Sequence, residues 1–255
     1  MSATPKPEIK VIFPTADEIR RSLDGYESGA SIHMKHDSVA QAKQLRYMKP
    51  FFCLWAGDGI LPPRRDETQD RIPIREAGRR RAAPHVKTYI RFEDEKCTSV
   101  DWAMVTSANL STQAWGALPN KDGDVRICSY EIGVVVWPEL FAEEGSQAIM
   151  VPTFKMDLAT AADLERVPES SNKSKQITVT GFRMPYDLPL VPYGDGDIPW
   201  CAAASHDTPD WKGQVWEGYK PRTWREIADR TVHASCSLLD PVKSTGFGYH
   251  SPCKR

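Results

Sequence analysis

His85 and Lys87 stand two residues apart, with Asn109-Leu110-Ser111 downstream and Glu131 beyond it. Side chains two apart on a β-strand face the same side. The run 86–92 is rich in strand formers and alternates well enough to be read as a strand. An imidazole and an ammonium then face one point in space. Asn109 follows the apolar run 102–105, and a strand ending there delivers its amide to the same point. Imidazole, ammonium and amide together make a phosphate site. One group shuttles protons or attacks, and two neutralise or donate to non-bridging oxygens. That chemistry needs no metal ligand set. By itself, an H-x-K triplet also describes an ordinary strand whose His and Lys face solvent.

The chain carries its own control. His33-Met34-Lys35 is a second H-x-K. It lies between Gly29-Ala30-Ser31 and a helical pattern starting at Ser38, with no strand pattern around it. It reads as a loop decoy, so context has to separate the two triplets.

That context is a resemblance. Pro84-His85-Val86-Lys87-Thr88-Tyr89, Val105-Thr106-Ser107-Ala108-Asn109-Leu110-Ser111, Ala114-Trp115-Gly116-Ala117-Leu118 and Ser129-Tyr130-Glu131-Ile132-Gly133-Val134 occur in that order. Together they resemble the C-terminal half of the tyrosyl-DNA phosphodiesterase I family, in the phospholipase D superfamily. Residues 14–26 resemble the opening strand and helix of that half. Pro185-Tyr186-Asp187-Leu188-Pro189 and Pro199-Trp200 resemble its late segments. The likeness covers roughly residues 8–216.

The resemblance implies a fold and a set of roles. Enzymes of the superfamily build one active site from two similar halves, each giving an H-x-K. In this family the first half gives a nucleophilic His that forms a phosphohistidine intermediate with a 3′-phosphotyrosyl or otherwise 3′-blocked DNA end. His85 matches the second-half His, which protonates the departing tyrosine and then activates water. Imidazole titrates near neutrality and suits both steps. Lys87 and Asn109 match the phosphate-binding pair. Glu131 matches the acid that orients an active-site His. Ser111 resembles a residue whose hydroxyl and backbone N–H hold a DNA phosphate. Arg79, Arg80 and Arg81 precede His85 closely, which makes Arg81 a candidate DNA contact; a solvated loop or nuclear-import signal is the competing reading. Trp200 is a candidate border of the DNA groove, with a structural role the alternative. Trp115 reads as core, and Tyr186 and Asp187 as supports of the fold.

Composition sets outer bounds. A chain of 255 residues suffices for one large domain or two small ones. Its formal net charge of −1 provides no global field for nucleic acid, so any basic surface is local. No apolar stretch reaches membrane-spanning length, and residues 1–7 lack the apolar centre of a signal peptide. The six cysteines form no C-x-x-C pair, so reduced intracellular thiols are expected.

The elements that must position the site are mixed. Residues 9–13 read as a strand. Thr15 and Glu18 make a capping box for a helix to about Leu23, ended by Gly25. Ser38 and Gln41 make a second, for a helix to about Met48 before Pro50. Residues 62–83 form an Arg-rich loop. Two strands follow, then a helical 111–117, and a third strand over 126–136 that contains Glu131. Further strands are expected at 149–154 and 177–184, joined by a polar surface connection over 159–175. Residues 223–231 suit a short helix. The expected fold is α/β, a mixed sheet flanked by helices in an α-β-α sandwich, forming one phospholipase D-like half over residues 1–216. Residues 217–255 are expected to be a poorly ordered tail.

No first-half H-x-K with its matching Asn is found. The expected function is therefore the C-terminal half of a nuclear DNA-repair phosphodiesterase, acting without cofactor or metal on single- or double-stranded 3′ ends bearing tyrosine or peptide. Its partner would be a first-half H-x-K domain from the same gene or another chain, and no membrane. A non-catalytic DNA- or protein-binding remnant and a self-pairing nuclease are the alternatives.

Overall fold

The structure is a computed structural model that describes residues 7–32, 34, 38–56, 73–144, 146–165 and 177–218. The described residues end at Gly218. The expected tail beyond that point and the helix at 223–231 lie outside the described residues, as do His33 and Lys35 of the decoy triplet.

Both capping boxes form. The Thr15 hydroxyl accepts from the Glu18 N–H at 3.1 Å, and the Glu18 carboxylate accepts from the Thr15 N–H at 2.8 Å. Helix α1, Ala16–Arg20, stops short of Leu23. There the Ser22 hydroxyl donates to the Ile19 carbonyl, and a 3-10 turn follows over Gly25–Gly29. The other Glu18 oxygen accepts from the Ala56 N–H at 2.6 Å, although burial pushes this carboxyl up. Ser38 and Gln41 cap α2, Val39–Met48, which ends where expected.

The described residues contain seven strands in three hydrogen-bonded sheets. The pair β1 (Val11–Ile12) and β2 (Phe52–Cys53) is parallel. Strand β2 was not anticipated, because two residues inside Phe51-Phe52-Cys53-Leu54-Trp55 show no alternation to read. The antiparallel sheet is β3 (Lys87–Phe92), β4 (Val100–Thr106) and β5 (Gly133–Val136), in that order. Strands β6 (Gln147–Thr153) and β7 (Ile177–Arg183) pair in parallel over all seven residues. Their connection, expected as a polar surface segment over 159–175, contains α4, Ala161–Leu164, with a capping box from Thr160 and Asp163.

The fold is thus α/β with both parallel and antiparallel pairing, as expected. Among the described residues the pairing is divided among three sheets, and three of the four α-helices have five residues or fewer.

Two cores hold these pieces. Val100 and Ala103 of β4 pack on Met150 of β6, with Ile90, Phe92, Val136 and Phe182 around them. The second core gathers Ile19, Tyr26, Ile32, Trp200 and Ala202. Trp200 has no exposed surface and stacks on Tyr26 and His206. Its indole N–H donates to the Gly29 carbonyl at 2.8 Å. This corrects the expectation that Trp200 borders a DNA groove. A ring whose faces and N–H are committed inside the protein has nothing to offer a nucleic-acid base.

Candidate active site at one end of the antiparallel sheet

One row of residues crosses the three-stranded sheet at its end. Lys87 pairs with Thr106, and Thr106 pairs with Gly133. His85 lies two residues before Lys87, Asn109 three after Thr106, and Glu131 two before Gly133. Register therefore places all four predicted residues at the same sheet end, although they span 47 positions of sequence.

His85 sits just before β3 rather than in it, and it is exposed. The Lys87 ammonium lies 3.1 Å from His85 Nε2 and donates to the His85 carbonyl at 3.0 Å. The two side chains face one point, as the spacing requires.

Glu131 corrects the expected third strand over 126–136, because β5 begins only at Gly133. The N–H groups of Cys128 and Ser129 both find the Gln113 carbonyl, at 2.9 and 3.2 Å, which draws this segment toward the one-turn helix α3, Thr112–Trp115, and off β4. Ser107 closes the gap. Its N–H donates to the Ile132 carbonyl, and its oxygen accepts from the Ile132 N–H at 3.1 Å. Its hydroxyl donates to Glu131 Oε2 at 2.5 Å. That bond, then one from Ser129, holds the Glu131 carboxyl below its ordinary range, with a further contribution from the Lys87 charge. Gly133 is required here. A Cβ would lie 2.7 Å from that of Thr106, and relief of the clash would shift the chain carrying Glu131.

Asn109 is exposed on the turn that follows β4. Its backbone carbonyl accepts from the Trp115 indole N–H at 3.0 Å, which also donates to the Tyr89 hydroxyl at 3.1 Å. That hydroxyl in turn donates to the Ala108 carbonyl at 3.3 Å. The Trp115 ring meets Tyr89 edge-on, 5.5 Å between centroids. Trp115 is 49% exposed, which corrects its assignment to the core. Helix α3, Thr112–Trp115, is one turn lying outside the packed faces of the sheets.

Ser111 caps α3, its hydroxyl accepting from the Ala114 N–H at 3.3 Å. The hydroxyl proton stays available to a ligand, but the Ser111 N–H already donates to the Asn109 carbonyl at 2.8 Å. Arg81 is exposed on the loop before His85. Arg80 of the same triplet turns inward to Asp187 at 2.5 Å, so Asp187 supports the fold.

Ser107, Ser129, Trp115 and Tyr89 were not singled out as site residues from sequence. Ser107 and Tyr89 lie within the quoted blocks, but their roles depend on contacts across strands. Beside Glu131, a groove of about 480 Å³ runs between Trp115, Ile127, Tyr130 and Ile132. Among the described residues, no group of three or more His, Cys, Asp or Glu is placed to hold a metal ion. No helix among them is long and apolar enough to cross a membrane.

A family model described as tyrosyl-DNA phosphodiesterase matches residues 1–194. The probable tyrosyl-DNA phosphodiesterase of Schizosaccharomyces pombe is 34% identical over 227 residues, covering 84% of this chain and 37% of its own length. Tyrosyl-DNA phosphodiesterase 1 of Arabidopsis thaliana is 30% identical over 217 residues, covering 81% of this chain and 32% of its own. A solved structure of the yeast tyrosyl-DNA phosphodiesterase aligns with a TM-score of 0.47 at 20% identity, covering 77% of this chain and 38% of that one. The chain spans about a third of the length of the two curated relatives, 37% and 32%.

Proposed function

From the premise that this chain belongs to the tyrosyl-DNA phosphodiesterase family, we propose that it is the C-terminal half of a nuclear DNA-repair phosphodiesterase. Its substrate is a DNA 3′ end joined through phosphate to tyrosine or another blocking group. An imidazole from a first-half H-x-K domain attacks phosphorus and forms a phosphohistidine. His85 gives its proton to the departing tyrosine oxygen. It then takes a proton from the water that attacks the phosphohistidine, which frees the first imidazole and leaves a 3′-phosphate.

Lys87 and Asn109 stabilise charge on the equatorial oxygens. Glu131, held ionised by Ser107, orients the imidazole of the other half. The observation that carries this reading is the row Lys87–Thr106–Gly133, which gathers all four groups at one sheet end.

The test is reconstitution with a first-half domain and a 3′-phosphotyrosyl oligonucleotide. His85→Ala should lower the rate about 10²–10⁴-fold, the usual scale for general acid–base catalysis, and His33→Ala should change little. Equal effects would mean that His85 is not the general acid and base.

A further inference from the structure

Arg79 and Arg81 sit on a loop that the fold holds at several points. Asp187, with its side chain 8% exposed, accepts from the Ala77 N–H at 2.7 Å and from Arg80 Nε at 2.5 Å. Backbone bonds run both ways between Arg75 and Leu188, at 2.7 and 3.1 Å. The Leu23 N–H donates to the Arg81 carbonyl at 2.9 Å. A loop tied in this way has little backbone freedom left to lose when it binds something.

The loop walls a depression of about 540 Å³ that Arg183 also lines. The ion pairs around it are uneven. Glu76 pairs with Lys155 at 2.9 Å and Arg80 at 3.3 Å, Asp187 with Arg80, and Asp157 with Arg183 at 3.3 Å. The three cations Arg80, Lys155 and Arg183 balance the three carboxylates Glu76, Asp187 and Asp157. Arg79 and Arg81 have no ion-pair partner among the described residues, and they leave two positive charges over.

Position suggests what they meet. Arg81 precedes His85 by four residues, so their Cα atoms are at most about 14 Å apart. Phosphates recur about every 3.4 Å of axis along one strand of a duplex. A strand whose 3′ phosphate lies at His85 has further phosphates within that reach. Guanidinium groups pair with phosphate oxygens in a bidentate geometry that suits the task. With a net charge of −1, the chain has no general field to supply this attraction.

We infer that Arg79 and Arg81 form a phosphodiester clamp, holding the DNA backbone on the 5′ side of the bond that is cut. The inference rests on the reading of His85 as the 3′-end site. Phosphates carry no base identity, so the clamp holds any sequence.

The test uses the full 255-residue chain and a short, labelled, single-stranded oligonucleotide ending in 3′-phosphate, with binding followed by anisotropy across a salt series. The doubly substituted Arg79→Gln/Arg81→Gln chain should lower the slope of log K against log salt by about 1.4, twice the ~0.7 per phosphate of single strands. Arg79→Lys/Arg81→Lys keeps the charges and should keep most of the slope, which separates lost charge from misfolding. An unchanged slope in the Gln variant overturns the clamp, as does failure of the parent chain to bind. A change that appears only when the oligonucleotide carries a peptide adduct also overturns it, by placing the arginines on the peptide side. The preference for 3′-phosphate over 3′-hydroxyl ends reads the His85 site separately. If that preference is missing while the slope still falls, the 3′-end reading fails and the clamp stands as a nucleic-acid site.

Discussion

The indole N–H of Trp115 donates to the backbone carbonyl of Asn109 at 3.0 Å, across six residues of chain. The bond closes the 109–115 segment on itself and restrains the backbone that carries the Asn109 amide. Trp115→Phe keeps the ring and deletes the donor. A hydrogen bond of this kind contributes about 1 kcal/mol net, so kcat/KM in a complete assembly should fall roughly 5-fold. Trp115→Phe behaving like the parent while Trp115→Ala fails would show that ring bulk alone matters.

Ser107 sets the charge of Glu131. The carboxyl is held low mainly by the Ser107 hydroxyl, then by Ser129 and Lys87. A carboxyl depressed by folding stabilises the protein above its unfolded pKa, and that contribution is lost as pH falls through the folded value. The window therefore lies below the ordinary Glu range of about 4.3. Ser107→Ala should move the Glu131 midpoint upward, and Ser107→Thr should restore it. NMR titration of the side-chain carboxyl reads the shift directly. A midpoint that stays put in Ser107→Ala would remove the hydroxyl as the cause.

Catalysis by the chain alone is not expected. Among the described residues, His85 is the one imidazole at the sheet end, and His206 is stacked in the Trp200 core. A purified monomer should not turn over a 3′-phosphotyrosyl oligonucleotide. Rates of about 1 per second or more, ordinary for enzymes, would force a nucleophilic role onto His85 or His33. Activity that disappears on dilution would instead favour a self-pairing dimer.

Strand β5 leaves apolar surface exposed on both faces. Val134 and Val135 are neighbours, so they point to opposite faces, yet they are 66% and 45% exposed. Ile132 just before them is 82% exposed, and β5 is the edge of its sheet. An uncovered apolar edge pairs with other chains. The lone chain should oligomerise or aggregate through it in light scattering, and Val134→Lys should shift it toward monomer. A stable monomer at high concentration would argue against an uncovered partner face.

Much of the site was legible in the sequence, for a local reason. A spacing of two on a strand puts His85 and Lys87 on one side whatever surrounds them, and capping boxes such as Thr15–Glu18 and Ser38–Gln41 involve residues three apart. The strands over 87–92 and 177–183 were readable from their own composition. What had to wait for tertiary structure depends on partners distant in sequence. Strand β5 starts later than its sequence pattern because Gln113 competes with β4 for the backbone of 128 and 129. Trp200 and Trp115 exchanged roles because burial is set by what packs on a ring: one indole is enclosed by Tyr26 and His206, while the other, beside Tyr89 and the Asn109 carbonyl, stays half exposed. Residue types and local spacing thus determined which groups can do chemistry. The register of β3, β4 and β5 decided that they meet, since a hydrogen-bonded ladder alone brings residues 85, 109 and 131 to the same end.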